Sequence, residues 1–389
     1  MSFNQYTWDL YKQTTIGIEM IKYFSDAGGY VLFKDYCPYA NFIPEDLYND
    51  WLENIYCYGV SDYDHPSLLE EAKDLYISLI TLGIRVEGQQ WLPANDFKNM
   101  LGIIQPMSYV LSQFAPEYFF PYLFLCRIFE LNKIADFFNI DLPNIPKRTD
   151  YKGRCMYYWE LCEVFYLFRK ENGLSPADLW SFLYDFAPNN LPSEKIDMPK
   201  PSQVWFIGGR LYQEDKSLES KFWQSSPETK KGDILVHYET SPISAITCIE
   251  ISLTDGVIDP LFRYYGCIYI GNRINIPHIT LKELQTDEYF FKHPLVRKNF
   301  QGVNGWSVNS ENYSELLRMI KTKGFDIEVL PKLYAPTLPK DVIIEYEHDV
   351  EQQLLEPLLN SMGWYENKDF IRQLPIQAGR GHRLSLIHI

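Results

Sequence analysis

Apolar side chains change their spacing along the chain, and the changes divide it into parts. Up to residue 190 they recur at three- and four-residue steps, as in "HPSLLEEAKDLYISLITLGI", "PEYFFPYLFLCRIFELNKIADFF" and "RCMYYWELCEVFYLFRKENG". That spacing predicts helices, because a 3.6-residue turn brings such positions onto one face. Ser67 with Glu70 three residues on forms a capping box, and Gly173 closes the third stretch. Ser175 is placed to cap the next helix, with Pro176 at its first position and Asp178 near its positive end. The two short helices around "ENGLS" could mimic a helix-turn-helix, but the preferred reading is an ordinary corner of a helical bundle.

"APNNLPSEKIDMPKPSQ" carries no apolar period and reads as a linker, placed at 191–202. Beyond it come short β-branched and aromatic runs bounded by turn residues: "QVWFIGG", "DILVHYE", "ISAITCIEIS" and "YYGCIYIG". These predict strands. With a closing helix, "SENYSELLRMIKTKG", they make 203–325 a β-barrel or curled sheet with peripheral helices. A Pro-punctuated linker, 326–344, leads to "YEHDVEQQLLEPLLNSMGW". There Leu354, Leu355, Leu358, Leu359 and Met362 form an apolar helical stripe, Gly363 is a stop, and Pro357 should kink the helix at about 3 kcal/mol. "DFIRQLPIQAGRGHR" follows as a strand running into a Gly-rich turn. The expected fold class is multidomain α+β, with a helical domain over 1–190, a central barrel and a final α/β piece.

Composition narrows the picture. The 389 residues are 46% hydrophobic and 16% aromatic, which excludes a disordered or low-complexity chain. Seven cysteines without a paired framework suit a reducing cytoplasm, and the N-terminus lacks the pattern of a signal peptide. "YFFPYLFLCRIFEL" is too short and too charged to span a bilayer, so no membrane partner is expected. Net charge is −15, but residues 201–325 hold 14 basic and 14 acidic side chains. The acidity lies in the flanks, so a phosphate backbone can approach the middle without a repulsive field. P-loop, GxGxxG, HExxH, GxSxG and metal-spaced Cys/His patterns are absent from the sequence. Cys155 and Cys162 lie seven apart on one helix face, as two core positions would.

The middle segment holds an ordered set: Trp205 in "VWFIGG", Trp223 in "KFWQSSPETKKGD", "GDILVHYETSP", "DP" at Asp259, "IPHITLKELQTDEYFFKHPLVR" and "FQGVNGWSVNSENYSELL". Together these resemble an EVE domain of the PUA-like superfamily. The resemblance implies a β-barrel similar to YTH and ASCH domains, and binding of modified nucleobases in DNA or RNA. Such a reader must take one base out of the stack and recover that cost by stacking, about 1–3 kcal/mol per base. A buried extra methyl adds roughly 0.8 kcal/mol. Trp205, Trp223, Tyr238 and Trp306 are the candidate cage; each is also a candidate core side chain. Trp223 leads because its loop is polar. Ser225, Ser226 and Asp233 are candidates for edge or backbone contacts, Asp233 also for a structural turn. Lys230, Lys231, Arg297 and Lys298 are candidate phosphate contacts, or solvated surface charge.

The last segment, with its acidic helix, Gly-Trp, strand and "GRG" turn, resembles the start of the N-terminal nuclease domain of type I restriction motor subunits. That domain is a branch of the PD-(D/E)xK nucleases. The resemblance places the helix acid at Glu347, with Glu351 as second choice, and implies Mg²⁺ for the complete domain. Its active-site core, an Asp and then an acidic-x-Lys pair on adjacent strands, is expected to follow Arg383, and "LSLIHI" (384–389) resembles the translated tail of a sequencing adapter, set aside as non-native. The expected protein is therefore a modification-dependent restriction protein that reads a flipped, modified cytosine in DNA, with its nuclease domain cut short over 345–383 and this fragment inactive. The alternatives are a non-catalytic reader of modified RNA, and an adaptor acting through its helical half. That half would serve as an oligomer or protein-partner module.

Overall fold

The computed structural model describes residues 3–37, 43–82, 85–86, 89–90, 96–192, 198–210, 220–334, 346–377 and 383–388. Met1–Glu194 with Val257–Tyr265 make one compact unit, and Lys195–Gly256 with Gly266–Ile389 make another.

The first unit is helical. Its longer helices are Thr15–Asp26, Glu45–Ile55, Leu69–Leu82, Ile104–Phe114, Ile128–Phe138 and Tyr151–Glu171, with a short hairpin of β1 (Arg85–Val86) and β2 (Gln89–Gln90). Ser175 caps Pro176–Ser181, as the sequence leads one to expect, and Asp178 adds a reciprocal bond back to the cap residue. Elsewhere the caps shift. The helix expected after Ser67 begins at Leu69, which puts Glu71 rather than Glu70 at the third helical position. Glu71 accepts from the Ser67 and Leu68 N–H groups at 2.7 and 3.3 Å and from the Ser67 hydroxyl at 2.9 Å.

The helix expected across "PEYFFPYLFLCRIFELNKIADFF" forms only from Ile128. Pro121 interrupts the donor series, and Cys126 takes a positive φ of 62°. The chain before it is irregular and buried, so side chains satisfy its backbone. Ser108 Oγ accepts from Tyr122 N–H at 2.8 Å, and Tyr158 OH donates to Phe120 O at 2.7 Å. Burial pushes the Cys155 and Cys162 thiols up to about 12, which marks core thiols rather than nucleophiles. No described helix is long and apolar enough to cross a membrane.

Val257–Tyr265, which includes β7 (Val257–Ile258), lies within the span expected as the central barrel yet belongs to the helical unit. Arg154, 1% exposed, holds it: the guanidinium donates to Pro260 O at 2.8 Å and Phe262 O at 2.7 Å, between the rings of Tyr151 and Tyr265. Asp259 is buried beside it and accepts from Leu261 and Phe262 N–H at 2.9 and 3.1 Å.

The second unit is built on a mixed sheet of β3 (Val204–Gly209), β4 (Ser220–Gln224), β5 (Ile234–Glu239), β6 (Ala245–Ser252), β8 (Gly266–Thr280) and β9 (Trp306–Val308). Its order is β4-β8-β6-β5-β3-β9, with β3 parallel to β5 and the other pairs antiparallel. The path is open: β4 and β9 are its two ends. Alternation gives each face its own core. One face carries Val204, Phe206, Val236, Tyr238 and Ile249 against Leu284, Leu295 and Leu316 of the flanking helices. The other carries Trp205, Ile207, Leu235, Ile268 and Ile270, with Trp223 packed on them.

The helix expected in "YEHDVEQQLLEPLLNSMGW" begins at Glu347 and runs through Pro357 to Ser361, but with a wide π turn over Glu351–Leu355. That widening accommodates a proline that supplies no N–H. Gly363 ends it at φ +87°. The strand expected after it is β10 (Ile371–Gln377), paired with β11 (Arg383–His388). The hexapeptide set aside above thus contributes to a strand, while the Gly-rich turn before it lies outside the described residues.

Asp259 makes stability depend on pH. Burial pushes its carboxyl up from 3.8 to about 6, so the stability it contributes is complete below pH 3.8 and lost as pH rises through about 6. The loss is on the order of 3 kcal/mol. Asp259→Asn keeps an oxygen for the two N–H donors and should remove this decline in denaturant titrations between about pH 4 and 7. An unchanged pH slope would contradict it.

Candidate functional site

The second face of the sheet is concave, and one contact proves the curl. Trp223 on β4 and Gly209 on β3 are separated in the sheet by β8, β6 and β5. Yet a Cβ on Gly209 would lie 2.6 Å from Trp223 Cζ2. A glycine is required there because the indole edge occupies the place of a side chain. Asn304 closes the gap. Its Oδ1 accepts from Gly208 N–H at 2.8 Å and from the Trp223 indole N–H at 3.3 Å, and its Nδ2 donates to Gly208 O at 2.9 Å. Gly305, at φ +77°, then passes so close to Ser226 that a Cβ would lie 2.5 Å from Ser226 N. Side chain and glycine thus do what a strand ladder would do in a closed barrel.

The interior behind this seam is polar at one end. Glu250 on β6 is 1% exposed and His237 on β5 is fully buried, with Nδ1 and Glu250 Oε2 3.0 Å apart. Arg273 on β8 holds Glu250 Oε1 through Nε at 2.9 Å and Nη2 at 2.8 Å. Lys221 on β4, 8% exposed, brings Nζ to 3.5 Å from the same oxygen and to 5.3 Å from the Trp223 ring. The Trp223 ring stands edge-on to His237, with centroids 4.7 Å apart. His237, Cys248 and Glu250 have ligand atoms within 4.8 Å of one another, the spacing of a metal site. The donor set does not fit a dication: Glu250 already holds two cationic side chains and the imidazole Nδ1. The arrangement fits hydrogen bonding to a polar, planar guest.

The residues expected to form an aromatic cage do not converge. Trp205 is 2% exposed and spends its indole N–H on Asp233 Oδ2 at 2.9 Å. Asp233 is a buried structural hub that also accepts from Ser202 Oγ, Gln203 N–H and Lys230 N–H, with its carboxyl raised by burial. Tyr238 lies on the helix-covered face, stacked on Phe300 at 4.0 Å, and Trp306 packs on that same face. Ser225 is buried against Thr229, and Ser226 accepts from Glu228 N–H. Trp223 remains: inward-facing, partly exposed and beside the polar end.

The basic candidates also separate. Lys230 pairs with Asp369 and covers the Trp364 ring at 4.8 Å, so it clamps the C-terminal segment onto its own unit. Lys231 is half-buried, and Arg297 and Lys298 are exposed. Glu351 is 6% exposed at the head of the π turn, and the Glu347 side chain lies outside the described residues. No Mg²⁺ site is assembled among the described residues, where the His237 trio is the cluster with ligand spacing.

Lys221, Glu250, Arg273 and Asn304 join the site without having stood out in the sequence. None of them carried a clear signal: Glu250 alternates with Ile249 and Ile251 as a solvent-facing strand residue would, and only the curl of the sheet buries the face it occupies.

No family model and no curated protein matches this chain. Among solved structures, protein Rpa0253 of Rhodopseudomonas palustris is similar over 31% of this chain and 94% of its own, at 14% identity and TM-score 0.27. Protein Atu2648 of Agrobacterium tumefaciens is similar over 34% and 100%, at 17% identity and TM-score 0.29. A hypothetical protein from Leishmania major is similar over 32% and 98%, at 12% identity and TM-score 0.27. Similarity this low defines neither a fold nor a function.

The Lys230 clamp is testable by limited proteolysis. Lys230→Met should expose the 346–370 segment to cleavage several-fold faster, while Lys231→Met leaves the digestion pattern unchanged. Equal effects of the two would remove the clamp.

Proposed function

We propose that the second unit binds one nucleobase turned out of a nucleic-acid strand, with modified cytosine in DNA as its first target. In this reading the chain is the recognition part of a modification-dependent restriction protein. The observation that carries it is the polar end of the concave face beside Trp223: a partly exposed indole next to buried His237, Lys221 and Glu250. Buried charges are costly, and a face meant only for packing does without them. An indole edge beside hydrogen-bonding groups suits a guest with a flat apolar face and a polar rim. A base taken from the stack is such a guest. The even charge balance of residues 201–325 leaves the approach of a phosphate backbone unopposed.

The resemblance that suggested a nuclease adds cutting to this scheme. The described carboxylates assemble no metal site for it, so the proposal is confined to binding. RNA is the second reading; it uses the same pocket, and matched DNA and RNA oligonucleotides separate the two.

Trp223→Phe keeps an aromatic filler against Ile268 and Leu235 but shortens the stacking face and removes the indole donor. Affinity for a modified-base oligonucleotide should fall by roughly tenfold to a hundredfold in fluorescence anisotropy, with the circular dichroism spectrum unchanged. Undiminished affinity in a folded variant would take Trp223 out of the site.

A further inference from the structure

The buried polar atoms at the concave end with no hydrogen-bond partner among the described residues include His237 Nε2 and Lys221 Nζ. Both side chains are more than nine-tenths buried, His237 at 0% and Lys221 at 8% exposed. An unsatisfied polar atom in such a place costs free energy that a ligand can return. The polarity of each can be read from its surroundings. Glu250, held by Arg273 at 2.8 and 2.9 Å, is a carboxylate and can only accept. The His237 nitrogen 3.0 Å from it must therefore be the donor, so Nδ1 carries the hydrogen. In the neutral ring this leaves Nε2 a lone pair and no hydrogen: an acceptor. Lys221 Nζ is a donor, and its 3.5 Å approach to Glu250 leaves it hydrogens to give. The site thus presents one acceptor and one donor, both anchored on a single carboxylate.

We infer that the guest is an amino-bearing heteroaromatic ring. Its exocyclic amine donates to His237 Nε2, and its adjoining ring nitrogen or carbonyl accepts from Lys221. This rests on the base-binding reading above and adds the edge that is read. Cytosine rings carry the pattern as N4–H₂ beside N3 and O2, and adenine rings as N6–H₂ beside N1. Thymine and uracil reverse it, with O4 beside N3–H. A C5 methyl on cytosine leaves the pattern intact. Arg273 and Glu250 act as positioning residues: they fix the tautomer of His237 and the place of Lys221.

The test exploits a pair of rings with the same outline and opposite polarity, 5-methylcytosine and thymine. Otherwise identical DNA oligonucleotides carrying one central cytosine, 5-methylcytosine, thymine or adenine are titrated against the full chain. The expected result is 5-methylcytosine over thymine by about tenfold or more, the effect of one matched against one opposed buried hydrogen bond. Lys221→Met, checked for folding by circular dichroism, should bring the 5-methylcytosine oligonucleotide down to the thymine level and leave thymine where it was. Adenine binding ahead of cytosine supports the amino-ring assignment with a purine as guest. Equal binding of 5-methylcytosine and thymine, or preference for thymine, overturns the assignment while leaving base binding in place. Failure of every oligonucleotide to bind sinks the base-binding reading and the inference with it.

Discussion

Glu250 is a carboxylate on a central strand with 1% of its surface exposed, and four strands are arranged around the need to keep it satisfied. β8 supplies Arg273, β5 supplies His237 and β4 supplies Lys221. A lone buried carboxylate costs several kcal/mol, and removing one partner of a buried pair typically costs about 3–5 kcal/mol. The sheet bends to meet this demand. Register shifts fall between His237 and Tyr238 on β5, and between Ile246/Cys248 and Ile249/Ile251 on β6. Each lies beside a member of the cluster. Bulges re-aim side chains, and these accompany the inward turn of His237, Cys248 and Glu250.

The same cluster decides what the concave face is for. Replacing a buried ion network with apolar side chains of equal volume is often neutral or stabilising, so stability alone does not account for it. Its apolar neighbours, Trp205, Ile207, Leu235, Ile268 and Ile270, are few, and Trp223 covers their edge. The seam at Gly209, Asn304 and Gly305 holds that indole in place without a closed ladder. A cost in packing is thereby concentrated where a partly exposed ring meets unsatisfied polar atoms, the pattern of a binding site.

Much of the architecture was legible in the sequence, because period and punctuation are local properties. The helical first unit, the strands after residue 203 and the helix running to Gly363 all follow from spacing and breakers. What failed was non-local. The stretch before Ile128 looked helical by hydrophobicity, but Pro121 and the hydroxyls of Ser108 and Tyr158 settle it as a buried irregular segment. Val257–Tyr265 carries no mark that it joins the helical unit, since its anchor, Arg154, is about a hundred residues away. For the site, Trp residues in strands were a sound clue to a shared function or a shared core, and side-chain parity decides which. Trp205 and Trp223 face inward, Tyr238 and Trp306 face the helices, and Trp205 is tied to Asp233. The charged residues that distinguish the inner end carry no such mark: in "AITCIEIS" Glu250 keeps step with the alternation, as a residue of a solvent-facing side would, and its burial follows only from the curl.

The central claim is that a guest base enters the concave face beside Trp223. Photocrosslinking of an oligonucleotide carrying 5-iodocytosine, followed by tryptic mapping, measures this directly. The account predicts an adduct at Trp223 in the peptide spanning residues 222–230. Adducts confined to the helix-covered face around Trp306, or to the helical unit, would contradict it.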